Sequence, residues 1–302
     1  MFKADALTLN DAQIERFHVD GFLVVENVID DAAIEALRAR FPLLFAGDFD
    51  TGVFPDEWHW REGMSLPDVT RHMGNAWKSD LTIAKLVLAP EIAAVGRVLM
   101  GWPGLRLGQD TIWWKPPDAK AIKFHQDTSF MNYLDPTSTI TGWLTLDDTT
   151  REAGTIEYVP GSHKWPVMEI PPKFFTADDY RAEMKHAAAA AGVTAPEPVF
   201  VEIPAGSMVF HAGEVWHGSG HNVTGDIMRR SIGVHMLHQD VAFSDRPGGY
   251  IYRRYQITGE TSFNESFFPI TAGRDGYRTP WIEEFCRTGQ RALDTATQAA
   301  AE

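Results

Sequence analysis

Two histidine neighbourhoods in this 302-residue chain carry the makings of a metal centre. The first is Phe124-His125-Gln126-Asp127. On an extended strand residues i and i+2 point to the same face, so His125 and Asp127 can aim one imidazole and one carboxylate at a common point. The second is the run from His211 to Gly220, which holds His211, Glu214 and His217-Gly218-Ser219-Gly220. A histidine from that run, on a neighbouring strand, would complete a set of two imidazoles and one carboxylate. His217 is the favoured third ligand, and His211 competes with it but lacks the Gly-Ser that follows His217. On Fe(II) such a set leaves one face of the metal open, which oxygen activation with a chelating cosubstrate requires. The same donors also suit zinc with a bound water, so a hydrolytic zinc centre is a second reading. His-x-Asp alone recurs by accident in ordinary sequences.

Arg229-Arg230 sharpens the choice. The pair leads into a strand that is otherwise apolar at Ile232, Val234 and Met236. An arginine on an inner strand is costly unless it meets a carboxylate, which the guanidinium fork fits bidentately. The distal carboxylate of a 2-oxo diacid would satisfy it, and so would a structural aspartate or glutamate. Strand alternation lets only one of the two arginines point inward.

The elements that must position these groups can be read along the chain. Thr8 to Asp11 can cap a helix carrying Ile14 and Phe17, which Asp20-Gly21 ends. Phe22 to Val25 reads as a strand, and Asp30-Asp31 caps a second helix with Ile34, Leu37 and Phe41 at helical spacing. Residues 46–75 have no period and read as irregular. Residues 79–100 are helical and divided at Pro90. From about 105 to 160 the texture turns to short strands, at Leu105 to Trp114, Thr139 to Leu146 and Thr155 to Val159, and a second strand-rich block runs from Val199 to Leu237. The segment 165–198 between them reads as an insertion, helical around Ala177 to Ala191 and placed to act as a lid. The tail, 241–302, has loops and a helix near Trp281 to Leu293. With no repeat and no linker, residues 1–302 are expected to form one domain, a mainly β core with helices around it.

Composition excludes several functions. The net charge is −14, which repels phosphate backbones and makes nucleic acid an unsuitable partner. No apolar run approaches the ~20 residues of a membrane span. The single cysteine, Cys286, rules out an intrachain disulfide and a thiolate cluster, and it suits a cytoplasmic protein.

In order, the sequence carries Asp20-Gly21-Phe22-Leu23-Val24-Val25, Lys115-Pro116-Pro117-Asp118, His125-Gln126-Asp127, and Trp143-Leu144-Thr145-Leu146-Asp147. There follow Gly154 to Val159, Pro160-Gly161-Ser162-His163, and His217-Gly218-Ser219-Gly220-His221-Asn222 with Arg229 beyond. Over roughly residues 8 to 240 this pattern resembles the phytanoyl-CoA dioxygenase (PhyH-like) family of Fe(II)/2-oxoglutarate-dependent oxygenases. The resemblance implies a double-stranded β-helix (jelly-roll, cupin-like) core with N-terminal helices, and a dioxygenase that consumes 2-oxoglutarate and O2 and releases succinate and CO2. It implies His125, Asp127 and His217 as iron ligands and Arg229 as the grip on the distal carboxylate, with Ser219 beside it. Gln109, Thr111 and Trp143 fall where the family contacts the cosubstrate or closes its pocket. The spacing from the metal histidine to the arginine is slightly longer than the family pattern, which keeps Arg230 in play. Because Asp127 is present, where halogenating relatives lack the carboxylate, hydroxylation, desaturation or ring formation is expected rather than halogenation.

The remaining candidates concern a small-molecule substrate. Trp113, Phe130, Met131, Tyr133 and Trp165, with the stretch Tyr250 to Tyr255, are expected as pocket walls, and Arg253 and Arg254 could address an anionic substrate. His163 reads as a turn residue, Glu214 as a loop residue, and His221, His235 and His238 as satisfied core or surface groups. A metabolite- or metal-binding β-barrel without turnover is the alternative from outside enzymology.

Overall fold

The computed structural model describes residues 1–168 and 179–290. Helix α1 (Asp11–Asp20) starts at Asn10, whose side chain accepts from the Gln13 backbone while the Gln13 side chain accepts from the Asn10 N–H. This reciprocal cap satisfies two donors that the first turn leaves free. Gly21 ends the helix at φ 85°, a left-handed conformation that glycine adopts without a Cβ penalty, and the chain passes directly into β1 (Phe22–Val25). The Asp30 carboxylate caps α2 (Asp31–Ala46). Two short strands follow, β2 (Glu57–Trp58) and β3 (Arg71–Gly74). They correct the irregular reading of 46–75, since their edge pairing depends on β4 and not on any local pattern. Helices α3 (Leu81–Val87) and α4 (Pro90–Met100) meet at Pro90, which occupies the first turn of α4, where its missing N–H costs nothing.

The β-core then runs through β4 (Leu105–Lys115), β5 (Ile122–His125), β6 (Leu134–Asp135), β7 (Thr139–Thr145) and β8 (Ile156–Tyr158). Helix α5 (Ala182–Ala190) intervenes before β9 (Val199–Phe200), β10 (Met208–Ala212), β11 (His217–Ser219) and β12 (Arg229–His238). The tail supplies β13 (Ala242–Phe243), α6 (Tyr250–Arg253), β14 (Ile270–Ala272) and α7 (Ile282–Thr288). All strand pairings among the described residues are antiparallel. The major sheet has the order β1-β10-β7-β12-β4-β3-β2 with β14 also on β4, and the minor sheet the order β5-β11-β8-β9. They form the jelly-roll core without closing into a barrel.

Alternation along the major sheet separates two interiors. Ile232, Val234 and Met236 of β12 join Leu37, Phe41, Ile92 and Leu99 in the core between sheet and helices. The other row, Arg229, Ser231, Gly233 and His235, lines a cavity between the sheets. The apolar row that marked the strand in the sequence is therefore its helix-facing back.

Of the proposed insertion, α5 lies against the outer side of the minor sheet, where Met184 and Ala187 meet Phe124, Val159 and Trp216. No described residue of 165–198 lines the cavity; residues 169–178, including Ala177, lie outside the described part of the chain. The last described helix, α7, ends at Thr288, and 291–302 also lie outside. No described helix is long and apolar enough to cross a membrane.

Leu37 is fully buried whereas Leu43, on the same helix, is 37% exposed. Leu37→Ala should lower unfolding free energy by about 2–5 kcal/mol, and Leu43→Ala by less than about 1 kcal/mol. Denaturant melts of both variants check which face of α2 carries the core.

Candidate active site

His125 and His217 are direct neighbours across the β5–β11 pairing. The β5 partners of His217 and Ser219, His125 and Ile122, are three positions apart, whereas His217 and Ser219 are two apart on β11. This bulge lets Ile122 and His125 both line the cavity, while Phe124 turns outward to α5, the re-aiming that an extra residue makes possible. Asp127 sits two residues beyond the end of the strand, opening a short 3-10 turn, but Gln126 between it and His125 is extended (φ −113°, ψ 131°). The i, i+2 geometry read from the sequence therefore survives although the strand ends at His125.

Ligand atoms of His125, Asp127 and His217 lie within 4.8 Å of one another. Asp127 Oδ1 is 3.6 Å from His125 Nε2 and 3.5 Å from His217 Nε2. Each imidazole has its other nitrogen on a backbone carbonyl, Nδ1 of His125 at 2.8 Å from Lys123 O and Nδ1 of His217 at 3.1 Å from Val215 O. A carbonyl only accepts, so both Nδ1 atoms carry the proton and both Nε2 lone pairs face Asp127. The donor set fits a divalent cation with its ligand tautomers fixed by outer contacts.

The second oxygen of Asp127 is held separately. Thr141 Oγ1 lies 2.7 Å and His211 Nε2 3.2 Å from Oδ2. A carboxylate accepts only, so His211 donates through Nε2 and accepts at Nδ1 from the Tyr158 hydroxyl, 2.8 Å away. Thr141 donates to Asp127 and so accepts from His235 Nδ1, at 2.8 Å. His235 Nε2 then accepts from Thr111 Oγ1 at 3.2 Å, and Thr111 accepts from the Trp113 indole N–H at 3.1 Å. One directed chain of donors thus runs Trp113, Thr111, His235, Thr141, Asp127. His235 corrects the expectation of a merely satisfied histidine. Its place on the β12 row with Arg229 was the signal in the sequence.

Burial opposes the charge on Asp127, but the contacts around it, with Thr141 and His211 donating to Oδ2, hold its carboxyl well below the usual range. Burial also holds the His217 imidazole well below its ordinary value, with His125 adding to the effect. An ionised carboxylate and a neutral imidazole are the protonation states that metal ligation needs.

Across the cavity, Arg229 is buried with Nη2 at 3.4 Å from Ser219 Oγ and its guanidinium 5.5 Å from the Trp143 ring. Burial brings its pKa down to about 10, so it remains a cation at neutral pH. Among the described residues it has no ion-pair partner, and its Nε is buried without a hydrogen bond. Ser231 Oγ and Gln109 Oε1 are likewise unpartnered, and both residues line the same cavity. Gly233 keeps the floor open, since a Cβ there would come within 2.7 Å of Thr111 Oγ1. Arg230 faces the other way, with Nη2 at 2.6 Å and Nε at 3.0 Å from the Asp147 carboxylate. The structural ion pair and the uncompensated cation, alternatives for one arginine in the sequence, are both present on adjacent residues.

Ser219 is committed within the protein. It donates to Gly154 O at 2.9 Å and accepts from Lys115 Nζ at 2.7 Å as well as from Arg229. Burial and the neighbouring Arg229 hold the Lys115 ammonium well below its ordinary pKa.

The cavity has a volume of about 480 Å³ and brings in Trp113, Phe130, Met131 and Trp143 as expected, with Gln109 and Thr111. Tyr133 and Trp165 are not among its walls. Tyr133 stacks on Tyr252 behind it, 5.6 Å between centroids, and Trp165 packs outside the minor sheet. Of the tail stretch, Tyr252 reaches the cavity. His163 contacts the His18 carbonyl, His221 the Tyr180 ring, and His238 the Trp102 ring, all away from the site. Glu214 borders a different hollow. Glu57, His59 and His72, which the sequence left in an irregular stretch, line the cavity from β2, β3 and the turn between.

A jelly roll holding this triad opposite a buried, uncompensated arginine defines the class of iron- and 2-oxoglutarate-dependent oxygenases. The sequence profile of the phytanoyl-CoA dioxygenase (PhyH) family matches residues 17–231, and the chain belongs to that family. Human peroxisomal phytanoyl-CoA dioxygenase is 23% identical over 266 residues, covering 81% of this chain and 72% of the human protein. Among solved structures, the non-haem α-ketoglutarate-dependent carbocyclase SnoK from nogalamycin biosynthesis superposes with a TM-score of 0.68 at 23% identity, over 88% of this chain and 97% of that one. The epimerase SnoN, solved with Fe3+, α-ketoglutarate and nogalamycin RO, gives 0.66 at 23% identity, over 89% of this chain and all (100%) of SnoN.

Thr141→Val removes the donor that holds Asp127 Oδ2 while keeping side-chain shape. Affinity for Mn(II), measured by calorimetry on the metal-free protein, should fall by about 10- to 100-fold; an unchanged affinity would show that Oδ2 needs no support from β7.

Proposed function

We propose that the protein oxidises a small molecule according to R–H + O2 + 2-oxoglutarate → R–OH + succinate + CO2, with desaturation or ring closure as variants of the same oxidation. The observation that carries this reading is the convergence of the His125–Asp127–His217 triad and the unpaired Arg229 on one cavity. His125, Asp127 and His217 would hold Fe(II), which when bound supplies the oxidising chemistry and chelates the 2-oxo acid end of the cosubstrate.

The remaining work falls to this chain. Arg229 receives the distal carboxylate of 2-oxoglutarate through the nitrogen that has no partner in the protein. Ser231 and Gln109 offer the adjacent unpaired polar atoms. Ser219 and Lys115 orient the guanidinium from behind, and the Trp143 ring lies against it. Thr111 supports Asp127 through His235 rather than being free to face the cosubstrate alone. A zinc hydrolase would leave the Arg229 cation without a ligand, as would a binding protein that takes no dicarboxylate. The single cysteine fits a cytoplasmic oxygenase, and residues 1–302 are read as one domain.

Anaerobic addition of Fe(II) and then 2-oxoglutarate should produce the visible charge-transfer band of a chelated 2-oxo acid. Asp127→Ala should abolish that band with the fold retained; a full band in this variant sinks the ligand assignment.

Arg229→Ala should raise the 2-oxoglutarate concentration for half-maximal band by about 10- to 100-fold, the loss of a charged hydrogen-bonded pair. Arg230→Ala should leave it within about twofold and cost about 1–2 kcal/mol of stability through the lost Asp147 pair. The reverse ranking would move the anchor to Arg230.

A further inference from the structure

The cavity has a second polar region besides the one around Arg229. Its wall comes from β2, β3 and the outer part of β4. The rings of His59 and His72 stack at 5.3 Å, and His72 stacks in turn on Trp113 at 4.2 Å. Burial holds His72 neutral, with a pKa lowered to about 4, and its Nε2 is buried without a hydrogen-bond partner. Glu57 lies against this stack. Its Oε1 is 3.2 Å from Nε2 of the exposed His59, the one hydrogen-bond partner of the Glu57 carboxylate among the described residues. Its Oε2 accepts from no described donor and fits because position 74 is glycine; a Cβ there would lie 2.9 Å from Oε2.

The carboxyl stays ionised. Burial pushes its pKa up, but the hydrogen bond with His59 outweighs this, and the net shift is downward. The nearby cations are engaged elsewhere. Lys78 lies 2.7 Å and Arg254 3.5 Å from Asp56, and the Arg71 guanidinium stacks over Trp60 and Trp114 at 4.0 and 4.2 Å. Arg253 gives its guanidinium to the carbonyls of Gly248, Ser244 and Arg246. The anionic substrate that the tail arginines suggested therefore has no free arginine there to meet it.

We infer that Glu57, with the His72–Trp113 stack, forms a substrate subsite for a cationic, amine-bearing small molecule. Glu57 Oε2 takes the ammonium, His72 Nε2 reads a neighbouring polar group, and the Trp113 and Tyr252 rings flank the carbon skeleton. The arrangement makes the cavity bipolar. A dicarboxylate is drawn to Arg229 and an amine to Glu57, so substrate and cosubstrate cannot exchange places without placing like charges together. This assignment of substrate class rests on the oxygenase reading for its orientation but not for the binding itself.

The test uses the full chain loaded with Ni(II) and 2-oxoglutarate, titrated in a calorimeter with benzylammonium, benzyl alcohol and benzoate. Benzylammonium should bind about tenfold or more tightly than the alcohol, with benzoate weakest. In Glu57→Gln the gap between ammonium and alcohol should shrink to about twofold, while 2-oxoglutarate affinity, measured separately, stays unchanged. Equal binding of the three probes, binding of none at millimolar concentration, or a preference that survives Glu57→Gln overturns the subsite. Repeating the titrations on the ligand-free chain separates the two readings. If 2-oxoglutarate fails to bind, the anchor at Arg229 falls, and the ammonium preference of Glu57 is still read.

Discussion

The structure turns on the division of one carboxylate between two tasks. Asp127 Oδ2 is fixed by Thr141 and His211, and Oδ1 is left facing the Nε2 atoms of two imidazoles. A buried carboxylate without those donors would be protonated or swing away. Each donor is in turn oriented by another: Tyr158 behind His211, and His235, Thr111 and Trp113 behind Thr141. The hydroxyls, imidazoles and indole of four adjacent strands of the major sheet, with Tyr158 of the minor sheet, exist in this order because each can donate only if its other side accepts. The major sheet is thus both the wall of the cavity and the frame that holds Asp127 of the triad.

The opposite end of the site depends on an interaction the protein leaves incomplete. A buried guanidinium without a carboxylate is costly, and a structural role alone would have selected a partner for it. The adjacent residue shows what such a partner looks like: Arg230 has Asp147 on two nitrogens. Strand alternation allows both outcomes within two residues, one arginine serving stability on the helix side and the other held open toward the cavity. Ser219 and Lys115 brace Arg229 from behind without neutralising it, because neither carries negative charge.

Helices α2, α3 and α4 bear on the site only through the back of the sheet. Their contacts with Ile232, Val234, Met236 and Ile112 bury one face of β12 and β4, which frees the other face to carry Arg229, Ser231, Gly233, His235 and Thr111. A sheet with both faces apolar would be as stable and would have nowhere to place them. The bulge in β5 does the corresponding work on the minor sheet, since it turns His125 inward while Phe124 still anchors α5.

The sequence by itself determined the helices with explicit caps, the strand blocks, and the His125-x-Asp127 pair, because these depend on spacings of two to four residues. Asn10, Asp30 and Pro90 act locally, and His125-x-Asp127 keeps its shared direction even though the strand stops between them. Family pattern supplied His217 and Arg229 at long range. Tertiary structure alone decided which arginine is buried unpaired, because Arg229 and Arg230 differ only in which side of β12 the helices cover. It also decided the place of His235 beneath Asp127, the loss of Tyr133 and Trp165 from the pocket, and the arrival of Glu57 and His72 in it. Strands β2 and β3 have too few residues to show a period. β3 is a strand because the edge of β4 offers it hydrogen bonds, and β2 because β3 then offers an edge in turn; neither edge forms until the sheet does.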